Sequence, residues 1–481
     1  MSRSSDVSDQ TSPPAPDGIE RFGYKQELKR SLGFADLLIY GLIFMVPIAP
    51  FGIFGSVFNA SGGMVALAYA IGMVAMAFTA LSYAQMARAF PMAGSVYTYA
   101  GRGIGAPVGF LAGWAILLDY VLVPSLLYLV ASTAMASIVP AVPIWAWLIG
   151  FVLLNTVVNY FGIQMTAKTN RIMLVAELIV LAIFLVIGVG ALIQGKGGGD
   201  PLSPLFDAGT FSWPLIFGAT SVAVLSFLGF DGISMLAEES REDGRRLGRS
   251  MVYALGLAGL LFITQTWVAA LLTPDRDRLL AEGDAAGSAF YDTAAFAGGP
   301  WLGVLTAVAT AVAWGFANSL VAQAATSRLL FAMGRDGQLP RVLGRVHPTR
   351  RVPVNAIFLV AGISLALGLF MSTLKDGITP LSTLVNFGAM CAFLVLHVSV
   401  VVHYLIRKRS RNWWAHLVAP AIGFVILVFV VVNAQVAAQR LGFAWFGIGV
   451  IVLIGSYLLG RKPTLATEQD AKETEQDARE V

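Results

Sequence analysis

Four ionisable residues stand inside long apolar runs of this 481-residue chain: Asp119, Glu177, Asp231 and His397. A charged group at mid-bilayer depth costs about 2.5–3.5 kcal/mol on insertion scales, so each is a candidate for pairing or for function. All 32 Lys and Arg are assignable to loops, tails or the ends of the runs, which leaves the acids no base at comparable depth. They are therefore expected to be protonated or to face a cationic solute across a wet cavity, and both arrangements suit a proton-coupled carrier of small amines. Asp231 is the foremost candidate because it sits with Gly229 and Gly232 in SFLGFDGIS, a stretch poor at sustaining a helix. Asp119, in LLDY, has a hydrogen bond to backbone as its alternative, and His397, near Cys391, an ordinary interhelical bond. Glu238 and Glu239 with Arg241 follow the Asp231 stretch, either as a surface ion network or as a gate at the cytoplasmic end.

The elements that position these residues are read from composition and run length. Hydrophobic residues make up 57% of the chain and charged residues only 12%, against about 25% charged in soluble domains. A hydrocarbon core about 30 Å thick needs roughly 20 apolar residues per helix. Runs of that kind fall at 34–57, 64–87, 107–138, 143–162, 170–193, 212–238, 249–272, 301–333, 353–371, 378–404, 415–433 and 441–460, twelve in all. The first, YGLIFMVPIAPFGIFG from Tyr40 to Gly55, carries Pro47 and Pro50 three apart. Such a break is tolerated in a membrane only where the backbone is buried in protein or lines a watery cavity.

The breaks in segments 1 and 6 are five segments apart, which points to inverted repeats meeting at a midplane site. The expected fold is thus all-α integral membrane: twelve helices, two inverted repeats of five (about 34–193 and 212–404), helices 1 and 6 broken, and two further helices at 415–460. Candidate solute-binding residues are Pro47, Ile48, Ala49, Pro50, Phe51 and Gly52 in the first break, Asp119, and Ser226, Phe227, Gly229, Phe230 and Asp231 in the second. Carbonyls freed near Ile48–Phe51 and Ser226–Phe230 would hold an ammonium, with Asp231 or Asp119 supplying negative potential. Amides of the half-helix starting near Gly52 would receive a carboxylate if the solute has one. Phe51, Phe227 and Phe230 are candidates to close over the solute.

With the N-terminus placed in the cytoplasm, 27 of the Lys and Arg fall inside and 5 outside, so both termini are expected to be cytoplasmic. Residues 1–33 and the acidic 461–481 are expected to be disordered tails. The acid-rich stretch 273–300 is expected to be a soluble outer loop, with a cation-collecting vestibule as the alternative. The basic residues form no stripe, which excludes nucleic-acid binding. A lone cysteine excludes a disulfide framework and a Cys-based metal site. No phosphate loop or GxSxG occurs, so neither ATP nor hydrolase chemistry is expected, and no cofactor. Asp119 and Asp231 are poor intramembrane aspartyl protease dyad candidates, because Leu118 and Phe230 precede them. A nutrient receptor that binds without transporting is a remaining reading from another class.

The stretches YAQMARAFPMAGSVYTYAGRGIGAPVGFLAGW from Tyr83, SFLGFDGISMLAEES from Ser226 and SRLLFAMGRDGQLP from Ser327, followed by VHP, resemble those of amino acid, polyamine and organocation permeases. Within that family, LLDY with GFDGIS and the spacing of VHP are most similar to bacterial putrescine importers. The resemblance runs from about Gly33 to Gly460. It implies a fold of the leucine-transporter type, in a monomer or homodimer of the inner membrane. It also implies a small amine solute, amino acid or polyamine, between segments 1, 3, 6, 8 and 10, and alternating access driven by protons or by exchange. Two departures stand out. Putrescine importers carry an Asp in the segment 1 break where this chain has Gly52, the form commoner among amino acid carriers. Many amino acid permeases place a Lys in segment 5 where this chain has Glu177. Glu177, with Asp231 and Asp119, is accordingly expected to carry or neighbour the coupling proton.

Overall fold

The computed structural model describes residues 22, 26, 28–139, 141–284, 287–374 and 377–458. Among these, eleven helices are long and apolar enough to cross a membrane, and the bent pair Phe34–Met45 and Pro50–Ala60 makes a twelfth span. Spans 2 to 5 are Val65–Ala89, Ala106–Ile138, Ile144–Phe161 and Ile163–Ile193. Span 6 runs from Trp213 to Glu239, and spans 7 and 8 are Gly244–Leu272 and Pro300–Arg335. Spans 9 to 12 are Val354–Ser372, Leu384–Arg407, Trp414–Val432 and Val436–Leu458. The near end of the bundle is the one at Gly33; the far end carries residues 61–64 and 273–299. The expected tails lie outside the described residues except for 22, 26 and 28–33. There the expectation of a structureless segment is corrected: Ser31 and Leu32 N–H donate to the Glu239 carbonyl, and Arg241 N–H donates to Leu32, along an isolated bridge of Leu32 to Ser240.

Proline chemistry explains the first break. Pro47 has no N–H to give to Ile43, whose carbonyl is taken instead by Val46 N–H at 3.2 Å. Val46 adopts a φ of +54°, costly for a β-branched residue, and the two half-helices diverge by 52°. Pro50 opens the second half, where its fixed φ is already helical. Span 6 breaks differently. An α-helix over Trp213–Ala223 tightens to 3-10 geometry over Val224–Phe227, Leu228 is extended, and Gly229 turns with φ +120°. A second 3-10 helix covers Asp231–Glu239. Runs of that type beyond four residues are uncommon and often mark strain or a hinge.

Close approach elsewhere depends on small residues. Gly248 and Gly259 of span 7 lie against Ala84 and Met73 of span 2, and Gly41 of span 1 against Ile233 and Ala254. The outer faces of spans 5 and 12 leave Val186 74%, Ile193 82% and Ile451 69% exposed, apolar surface whose natural solvent is lipid. The stretch 273–300, expected as a soluble outer loop, has regular structure within it. It forms two short helices, Arg276–Glu282 and Ala289–Gly298, docked on the far half of span 1.

Candidate solute site between the broken helices

The two breaks meet. A Cβ added at Gly229 would lie 2.8 Å from the Phe44 carbonyl carbon, so only glycine allows this contact and this φ. Beside it lies a cavity of about 30 Å³, lined by Phe44, Met45 and Ala49 of span 1, Asp119, Val123, Leu126 and Leu127 of span 3, Leu225, Ser226, Leu228 and Gly229 of span 6, and Trp314 and Asn318 of span 8. That volume has room for about two water molecules. An amino acid or diamine fits only if side chains withdraw, so the conformation is a closed one.

The cavity's backbone groups are mostly acceptors. Val46 N–H has turned to Ile43 and Ala49 N–H to Val46, which leaves the carbonyls of Phe44 and Met45 without a hydrogen bond from any described residue. The Leu228 carbonyl is equally free. The open carbonyls of the first break are thus not those expected at Ile48–Phe51. Ile48 and Ala49 accept from Phe51 N–H (2.9 Å) and Gly52 N–H (3.2 Å), and Pro47 accepts from Gln265 Nε2 at 2.9 Å. The positive φ of Val46 shifts the open carbonyls almost a turn before the prolines. The same bonds engage the first amides of the second half-helix, so the donors expected near Gly52 are not open. Gly52 itself packs on Trp314: a Cβ there would sit 3.2 Å from Cζ2 of the indole.

A six-residue π-helical turn, Ala313–Asn318, presents Trp314 and Asn318 to the cavity, and single π turns recur at functional sites. It is held from behind by Asn155 Nδ2, which donates to the Gly315 carbonyl at 2.9 Å. Trp314 Nε1 and Asn318 Oδ1 are buried and have no hydrogen-bond partner among the described residues.

The two span-deep aspartates have opposite surroundings. Asp231 Oδ2 accepts from Tyr120 Oη at 2.6 Å and Tyr83 Oη at 3.4 Å, and Oδ1 accepts from Gly229 N–H at 3.2 Å. It is 1% exposed and does not line the cavity. Its geometry is that of a strut fixing the Gly229 turn to spans 2 and 3. Asp119 does line the cavity and receives no hydrogen bond from the described residues. The span carrying it is itself locked: Pro124 cannot donate to Tyr120's carbonyl four residues back, and the Thr326 hydroxyl of span 8 donates there instead. Glu177 on span 5 is 5% exposed, and neither carboxylate oxygen has a partner among the described residues. His397 is bonded between Ser82 Oγ (Nδ1, 2.9 Å) and Thr79 Oγ1 (Nε2, 3.3 Å), joining spans 10 and 2.

Both ends are shut. At the near end Glu239 takes Arg328 Nε at 2.5 Å and a second guanidinium nitrogen at 3.3 Å, with both side chains 2% exposed. Glu238 takes two nitrogens of Arg335 at 3.0 Å each, and Ala93 N–H at 3.1 Å. Tyr97 Oη donates to Asp336 at 2.7 Å. Arg241, grouped with the two glutamates in the sequence, is exposed and pairs with neither. The sequence reading missed Arg328, counted with the inner-loop cations although the helix carries it into the protein. Arg328 and Arg335 are seven residues apart, on one helix face, which was the available signal. At the far end Phe51 stacks on Phe290 at 3.9 Å, and Asp284 packs against Gly55. Burial pushes the Asp284 carboxyl above its ordinary value, although Ser288 and Ala289 N–H donate to it. Phe227 and Phe230 pack against Phe262 and Phe393 and do not line the cavity.

The profile of the amino acid permease family matches residues 36–457. The chain is 32% identical to the low-affinity putrescine importer PlaP of Escherichia coli, over 89% of this chain and 93% of that protein. It is 26% identical to the branched-chain amino acid permease BcaP of Bacillus subtilis (91% and 94% covered) and 24% identical to the methylthioribose transporter of the same organism (92% and 95%). Twelve spans, two of them broken around a common cavity, and a family match that covers the bundle lead to one conclusion: the chain belongs to the amino acid permease family and is a multi-pass membrane transporter.

Proposed function

We propose that the protein imports a small organic amine, with Asp119 as the counter-charge for its ammonium group and the carbonyls of Phe44, Met45 and Leu228 as acceptors around it. The observation that carries this is the imbalance among the residues of the cavity lining, where the Asp119 carboxyl and the three open carbonyls outnumber the side-chain donors of Trp314 and Asn318. A desolvated ammonium needs acceptors, and a carboxylate needs donors. Putrescine, carried by PlaP, has two ammonium groups and no carboxylate and agrees with that lining. An amino acid is the second reading, favoured by Trp314 Nε1–H as an unpartnered donor for its carboxylate.

In this reading the near end faces the cytoplasm, consistent with the excess of Lys and Arg on that side. The two five-span repeats rock about the Phe44–Gly229 contact, the Arg328–Glu239 and Arg335–Glu238 pairs close the inner gate, and Phe51 on Phe290 closes the outer one. Glu177 carries the coupling proton, since its carboxyl, unlike that of Asp119, borders no solute cavity that could bring it a cation, and without a partner it is tolerated only as the neutral acid. Uptake of labelled putrescine, leucine and lysine by reconstituted protein, with and without an inward proton gradient, tests this. Gradient-stimulated putrescine uptake is the expected result; leucine uptake alone would transfer the site to the second reading.

A further inference from the structure

Span 5 carries a second polar side chain that the solute site does not use. Asn170 is 1% exposed, and both its Oδ1 and its Nδ2 lack a hydrogen-bond partner among the described residues. Leaving a buried donor or acceptor unpaired costs about 1–3 kcal/mol each, so an idle asparagine would be replaced at little loss by leucine. Seven residues on, both oxygens of Glu177 are in the same condition. Residues seven apart share a helix face to within about 20° and stand about 10 Å apart along the axis. Four unpaired polar atoms thus lie on one inward stripe of span 5, with Leu174, 7% exposed, and the half-buried Met173 between them.

The stripe runs to the near-end surface. Arg171, next to Asn170, pairs with Asp36 in the first turn of span 1 at 2.9 Å, and this pair is partly exposed. An exposed pair of that kind is worth about 0–1 kcal/mol, a closure that opens readily. The charged groups at this mouth include Asp36 of span 1, Lys168 and Arg171 of span 5, and Glu242, which accepts from Phe34 N–H at 3.0 Å and pairs with Arg246. On the neighbouring helices the remaining charges stand towards the ends: Arg245, Arg246 and Arg249 of span 7, Arg328 and Arg335 of span 8 at the near end, and Asp292 at the far end. Tyr40 of span 1 is engaged with the Val321 carbonyl.

We propose that Asn170 positions water for a proton route along span 5, from Glu177 to the near-end surface, separate from the path of the solute. This rests on the reading of Glu177 as the proton carrier. When the near half of span 1 moves away, water fills the gap beside Leu174. About three waters bridge it at hydrogen-bond spacing. The Glu177 carboxyl gives its proton to the first, a proton leaves the last to the near-end solution, and the carboxylate is reprotonated from the far side in the opposite state. Asn170 does not titrate; its amide accepts from one water and donates to the next.

The test compares gradient-driven uptake with counterflow of labelled putrescine, and of labelled leucine in parallel, in proteoliposomes of the full chain. Counterflow needs no net proton movement. Asn170→Leu is expected to lower gradient-driven uptake at least tenfold while counterflow stays within twofold, with acidification reported by a dye trapped in the lumen falling in step. Asn170→Ser, which keeps a water-binding hydroxyl, is expected to recover most of the uptake. Unchanged gradient-driven uptake in Asn170→Leu overturns the route, and so does equal loss of uptake and counterflow, which would make Asn170 structural. Glu177→Gln separates the two ideas. Wild-type gradient dependence in Glu177→Gln sinks the underlying reading of Glu177, whereas a proton-uncoupled Glu177→Gln beside an unaffected Asn170→Leu sinks the route alone.

Discussion

The near-end ion pair makes a sharp quantitative prediction. Glu239 and Arg328 are each 2% exposed, and the pair is bidentate, with Arg328 also donating to the Ala324 carbonyl at 2.9 Å. Glu239→Gln keeps the size and one acceptor but removes the charge, leaving a buried guanidinium uncompensated. Removing one partner of such a pair costs about 3–5 kcal/mol, and the lower figure applies because an acceptor remains. The conformation open at the near end wets Arg328 and escapes that cost. About 3 kcal/mol at 1.4 kcal/mol per tenfold therefore enriches the open form roughly a hundredfold. The assay is the labelling rate of a thiol placed at the fully buried Ala324, in a Cys391→Ala background, with a membrane-impermeant maleimide reaching the near end. Ala324→Cys/Glu239→Gln should label about a hundred times faster than Ala324→Cys. Adding Arg328→Leu, which removes the stranded charge, should return the rate most of the way. A thermal-melting control establishes that each variant is folded. Unchanged labelling in folded Glu239→Gln would refute the reasoning that this pair holds the gate.

Other consequences are as direct. Gly229→Ala has no allowed backbone at φ +120° and would press a methyl on the Phe44 carbonyl carbon, so transport should fall at least tenfold while Gly256→Ala, which meets nothing within 4 Å, leaves it unchanged. Gly52→Asp drives a carboxylate into Trp314, so putrescine uptake should fall and be partly recovered by Trp314→Ala. Asp284, whose carboxyl is held above its ordinary value by burial, binds its proton more tightly folded than unfolded, so its contribution to stability declines as pH rises through and above the ordinary value of 3.8. Asp284→Asn should accordingly melt higher than the parent at pH 7 and level with it near pH 3; an equal shift at both pH values would contradict the assignment to ionisation.

The spans and the two breaks were legible in the sequence because apolar run length and paired helix breakers are local signals. Pro47 and Pro50 announced the first break, and Gly229 with Gly232 the second. The details inside the breaks were not, since Val46's positive φ, which moves the open carbonyls to Phe44 and Met45, occurs beside the contact of Phe44 with Gly229, a residue some 180 positions away that no local pattern connects to it. The relative standing of Asp119 and Asp231 was hidden for the same reason: the tyrosines that satisfy Asp231 come from spans 2 and 3, and no spacing rule connects them. Arg328 looked like a loop cation until Glu239, 89 residues before it, drew it inside. The helices of 273–300 escaped because each is short and carries the acids that an apolar count reads as loop.

The measurement that bears most directly on the site is the KM for putrescine uptake of reconstituted wild type, Asp119→Asn and Asp231→Asn. A carboxylate about 5 Å from an ammonium at an effective dielectric of 20 contributes about 3 kcal/mol, part of it offset by desolvation. Asp119→Asn should therefore raise KM roughly 10- to 100-fold with the protein still folded. Asp231→Asn, which loosens a strut without touching the cavity, should lower the melting temperature and the maximal rate and leave KM near wild type. A normal KM in Asp119→Asn with a greatly raised KM in Asp231→Asn would contradict the central claim and move the ammonium to Asp231.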